Sequence, residues 1–179
     1  MGNVPLHPAI VHLPLGLAML APVIALIVLV PLWRGRLPRR AWGLVVLLQA
    51  ALVATAFVAL RTGEAEEETV EPVVAEQALE THEERATLFT WAGVAVLALA
   101  LGAALTLGRA EKVGLGLAAA TVVAGLAVTG LGIWTGHAGG QLVYQHGAAS
   151  AYATPGATGA LEASAQRADD DDEHERRGG

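Results

Sequence analysis

Four long stretches without a single charged side chain decide what this chain can fold into. They cover residues 8–32, 41–60, 86–107 and 113–135. Each has the roughly 18 to 20 residues that an α-helix needs to cross the hydrocarbon core of a bilayer. In that medium a spanning segment must satisfy its own backbone polar groups, and a helix does so. The chain is 54% apolar and 16% charged, against about a quarter charged in soluble domains. Its 179 residues suit one domain. The expected fold is all-α, a bundle of four transmembrane helices.

The charges between the spans set an orientation. Arg34, Arg36, Arg39 and Arg40 fill the first loop, and Arg109 and Lys112 flank the third. Basic loops stay in the cytoplasm. The opposite side takes both termini and the loop over residues 61–85, with nine glutamates between Glu64 and Glu84. The expected topology is therefore N-out and C-out. The N-terminus lacks the basic n-region and cleavage site of a removable signal peptide. Trp33, Trp42, Trp91 and Trp134 lie near span ends, as an interfacial aromatic belt would place them.

Val74, Ala78, Leu79, His82, Ala86 and Phe89 recur at helical spacing, so the third helix should begin near Val74, outside the membrane, after a break at Pro72. Glu64 to Glu68 should add about a turn to the second helix. Pro14 should bend the first helix beside His12, because proline removes a backbone hydrogen bond. Small residues crowd the fourth span, which suits close helix packing. The membrane domain is expected over residues 1–147. Residues 148–179 read as a disordered acidic tail that carries the run Asp169 to Glu173 before its last six residues.

Without cysteines, disulfides, thiolate zinc sites, iron–sulfur clusters and covalent haem attachment are excluded. Met1 and Met19 are too few for a thioether copper relay. Any metal site must use His, Glu and oxygen ligands. His7, His12, His82, His137 and His146 all fall on the outer side, while the cytoplasmic loops have no histidine. At about 1.5 Å rise per residue, His7, His82, His137 and Glu64 lie roughly 20 Å from the midplane and His12 roughly 12 Å. Gly139 and Gly140 are expected to turn the chain and let His146 fold back. Neutral imidazole is the commonest ligand for zinc, copper and iron. The expected site is therefore metal-binding, with His7, His12, His82, His137, His146, Glu64 and Glu67 as ligands. Its occupant is a transition metal ion or haem b. For haem, His12 and His82 are the expected axial pair; Glu83 and Glu84 stand beside the set. No catalytic nucleophile motif occurs, since Ser150 and Ser164 lie in the tail. Only Gln49 is polar at mid-span, which disfavours a transporter.

Three segments carry a resemblance. They are His7-Pro8-Ala9-Ile10-Val11-His12-Leu13-Pro14-Leu15-Gly16, then Thr62-Gly63-Glu64-Ala65-Glu66-Glu67 with the His82-Glu83 pair, and Thr135-Gly136-His137-Ala138-Gly139-Gly140 running on through Val143-Tyr144-Gln145-His146-Gly147. In these the sequence resembles the bacterial membrane family catalogued as domain of unknown function 2231. The resemblance implies a four-span protein of the bacterial plasma membrane. Relatives that carry the domain beside Rieske or cytochrome c modules imply a redox setting and a periplasmic redox partner. A scaffold that docks a periplasmic partner without chemistry is the alternative. Partners are the lipid bilayer and no nucleic acid.

Overall fold

The structure, a computed structural model, describes residues 6–152. Five helices account for most of them: α1 (Leu6–Ile10), α2 (His12–Trp33), α3 (Gly43–Val70), α4 (Glu76–Thr106) and α5 (Glu111–Tyr144). Short 3-10 turns cover Arg39–Trp42 and Ala148–Tyr152. Taken with their flanking turns, the helices give four spans long and apolar enough to cross a membrane, the first being α1 and α2 together.

Short links force neighbouring helices antiparallel. Each of α2 to α5 packs on its sequence neighbour, α2 closes the ring against α5, and the diagonal pairs stand apart. An up-down bundle follows. One end carries the arginine-rich turn between α2 and α3. The other carries α1, the glutamate-rich link between α3 and α4, and the end of α5.

Proline shapes the first span. Pro14 cannot donate to the Ile10 carbonyl and its ring crowds that group, so the helix kinks at Val11 between α1 and α2, while Val11 N–H still donates to His7 O at 3.1 Å and Leu15 N–H to Val11 O at 3.3 Å. Pro22 leaves the Ala18 carbonyl without its helical donor in the same way. Thr129 on α5 supplies the substitute, its hydroxyl donating to Ala18 O at 2.6 Å. One turn earlier, Gly125 makes room for the proline: a Cβ there would sit 3.2 Å from Pro22 Cβ. The small-residue face of α5 is thus a packing surface, as its composition indicates.

The structure departs from expectation in four places. Trp42 is fully buried and donates from Nε1 to Ala100 O at 3.0 Å, so it anchors the α2–α3 turn inside the bundle; Trp33, Trp91 and Trp134 are exposed. Helix α3 runs on to Val70, past the turn expected after Gly63. Helix α5 passes straight through Gly139 and Gly140 to Tyr144, and the chain turns at Gly147, whose φ of 72° suits glycine. Finally, the first residues of the expected tail form an ordered turn. Ala148 packs with Val74 and Leu142 in a small core at the glutamate-rich end. The rest of that tail, His174 included, lies outside the described residues.

Candidate functional site

At the glutamate-rich end the four spans part around a cavity of about 620 Å³. Leu15, Ala56, Phe89 and other apolar side chains form its wall, and His7, His82, Glu66 and Tyr152 stand among the polar groups that line it.

His7 sits in α1, against α3. The absence of a side chain at Gly63 makes its seat: a Cβ there would lie 3.1 Å from His7 Cε1. One turn below Gly63, Ala59 offers its carbonyl to His7 Nδ1 at 2.9 Å. A carbonyl only accepts, so Nδ1 carries the proton and Nε2 keeps its lone pair. Thr62 Oγ1, 3.3 Å from the same nitrogen, also donates to Ala59 O.

His82 in α4 is likewise seated over a glycine, here on α5. Its Cε1 would meet a Cβ on Gly139 at 3.1 Å. Unlike that of His7, its Nδ1 is buried with no protein hydrogen-bond partner. His7 Nδ1 is turned to α3, and both rings set Cε1 against a glycine of the neighbouring helix. Both residues line the cavity. The two ring centres are 6.2 Å apart, with their planes 80° to each other.

Glu66 ties this end together. Its Oε1 accepts from the backbone N–H groups of Leu6 at 2.7 Å and His7 at 3.0 Å. Those are free donors at the start of α1, which a carboxylate satisfies with favourable charge. Its Oε2 accepts from the Tyr152 hydroxyl at 2.8 Å. Burial and the adjacent carboxylate push the Tyr152 hydroxyl up to about 12, so it remains a donor throughout the physiological range.

The sequence-derived ligands are not all brought together. His7 and His82 face each other. His12 is exposed but lines the same cavity, as do Glu64, Glu67 and Glu83. Glu64 is engaged by Arg61 at 2.9 Å. His146 lies in a separate groove with Ala75, Thr81 and Gln141. His137 is exposed on α5. Among the described residues, no three His, Asp or Glu side chains converge as a ready metal cage. Glu66 and Tyr152 were missed by sequence reasoning. Glu66 had a usable signal: Ala59, Gly63 and Glu66 fall at helical spacing i, i+4 and i+7, on one face of α3.

Compared with known proteins, residues 3–151 match the family described as "Predicted membrane protein (DUF2231)". No curated protein and no solved structure matches the chain.

Proposed function

Since the chain belongs to the DUF2231 family of predicted membrane proteins, we propose that it holds a transition-metal centre, most readily haem b, between His7 and His82. The supporting observation is the paired arrangement of those rings. A ligating histidine ordinarily turns its second ring nitrogen to a backbone carbonyl or carboxylate, which fixes tautomer and orientation. His7 does this with Ala59; His82 shares the glycine seat, at Gly139, while its buried Nδ1 has no protein hydrogen-bond partner.

The spacing suits a shared centre. Two metal–nitrogen bonds of about 2 Å plus the half-width of each ring separate the ring centres of opposed imidazoles by about 6 Å. The observed separation is 6.2 Å. Haem fits better than a bare ion because its macrocycle supplies four nitrogens, leaving only two positions for protein. A bare zinc or copper ion calls for three or four protein ligands, and only two imidazoles are opposed here. The mostly apolar wall and the cavity volume, inside the roughly 300–1,000 Å³ of ligand pockets, suit a flat hydrophobic cofactor. Bound haem would supply one-electron exchange. The protein's residues would hold it, orient it and keep its apolar faces from water.

The basic loops support a reading in which the cavity lies at the periplasmic face of a bacterial plasma membrane. There the protein serves as an electron-transfer accessory to a periplasmic redox partner, without being a stand-alone enzyme. Visible absorption and elemental analysis of the purified full chain test this reading. A Soret band lost in His7→Ala and His82→Ala supports haem. Stoichiometric metal without a Soret band supports a bare ion. Absence of both contradicts a metal centre and leaves a scaffold for a periplasmic partner.

A further inference from the structure

Tyr152 lines the cavity, yet the turn that carries it, Ala148–Tyr152, belongs to none of the spans. Gly147 reverses the chain after α5, and Ala148 fastens the start of the turn to Val74 and Leu142. Beyond that anchor, the Tyr152 hydroxyl bond to Glu66 ties the segment to α3. On the opposite side of the same carboxylate sits α1, a helix of five residues. A helix that short does not hold its shape unaided, and α1 joins α2 through a kink at Val11, where Val11 N–H donates to His7 O and Leu15 N–H to Val11 O. The piece bearing His7 and the piece bearing Tyr152 are therefore both fastened to one side chain on the long helix α3.

We infer that Glu66 is the positioning residue of the cavity: its carboxylate clamps α1 and the Ala148–Tyr152 turn to α3, and release of that clamp admits molecules to the cavity. The clamp controls access to the cavity discussed above and holds whatever the cavity takes up. Both Glu66 oxygens are occupied by donors, which leaves no vacant acceptor directed at an ion. Its role is to place His7 rather than to ligate. Hydrogen bonds to a carboxylate are stronger than neutral ones, and removing one shifts an open–closed balance by about tenfold or more.

The absence of cysteines provides a direct test on the full chain in detergent or nanodiscs. Ala56 is buried and lines the cavity wall. In an Ala56→Cys background, a maleimide should react slowly. Adding Tyr152→Phe, which removes a single hydroxyl, should raise the rate about tenfold. Glu66→Ala should raise it further, since three hydrogen bonds are lost, and Glu66→Gln should fall between. Cysteine at the exposed Glu80 position should react at one rate in every background. Should Glu66→Ala disturb folding, Tyr152→Phe decides alone. An Ala56→Cys rate unchanged by Tyr152→Phe overturns the inference. Because labelling is done without haem or metal, its failure leaves the metal centre standing, and a failure to bind haem leaves the clamp standing.

Discussion

Replacing Gly139 with alanine should weaken binding of the cofactor while leaving the bundle as stable as before or more so. The added Cβ would stand 3.1 Å from His82 Cε1. Carbon atoms in comfortable contact are about 3.5–4.0 Å apart, so the ring must retreat by about 0.4 Å or more. Metal–ligand distances tolerate only about 0.2 Å. The centre then follows the ring and strains its bond to His7, or the His82 bond lengthens. Displacing a group that orients a ligating histidine costs about 10- to 100-fold in affinity, and a loss of that size is expected. The helix itself responds the other way, because alanine is better than glycine inside a helix by about 1 kcal/mol. Haem titration of the full chain, followed at the Soret band, reads the first effect. Thermal melting by circular dichroism reads the second. Gly140→Ala is the control, since a Cβ there meets nothing within 4 Å. Parent-like binding by Gly139→Ala, or an equal loss in Gly140→Ala, would refute the seat.

Cysteines placed at Arg36 and at Glu80 should label from opposite sides of the membrane; labelling of both by an impermeant reagent from one side contradicts the topology. Thr129→Val strands the Ala18 carbonyl that Pro22 leaves free, and should cost about 0.6–1.7 kcal/mol in unfolding by denaturing detergent; an unchanged transition means the bond contributes nothing. A centre bound by His7 and His82 should be lost on acidification, because a protonated imidazole cannot ligate. Retention of the bound spectrum in acid points to other ligands.

The four spans were legible because lipid enforces a simple pattern: no charges for twenty residues, then many. The end at which the histidines gather was legible for the same reason. Which histidines meet was not. Depth follows from counting residues, but azimuth depends on which helix faces pack, and only the assembled bundle fixes that. His137 and His82 share a level by helix rise, yet His137 is exposed while His82 lines the cavity. The same difficulty hid Glu66 among its neighbours: Glu64 and Glu67 seemed as good, and one step along a helix turns a side chain by about 100°. Gly139 misled in another way. Glycine in a soluble protein commonly marks a turn, but inside a membrane helix it marks close approach, and here the approaching group is an imidazole. Trp42 looked like an interfacial anchor from its place in the chain. Its burial depends on the α2–α3 turn folding inward, with the Ala100 carbonyl ready to accept its N–H.

The most direct test compares His82 with His137 in one measurement. Haem is added to the purified full chain in nanodiscs, and the reduced and oxidised visible spectra are recorded for the parent, His82→Ala and His137→Ala. The expected result is a low-spin, bis-imidazole spectrum at one haem per chain in the parent and in His137→Ala, with that spectrum lost in His82→Ala. An identical spectrum in all three proteins, or none in the parent, would contradict a haem centre held between His7 and His82.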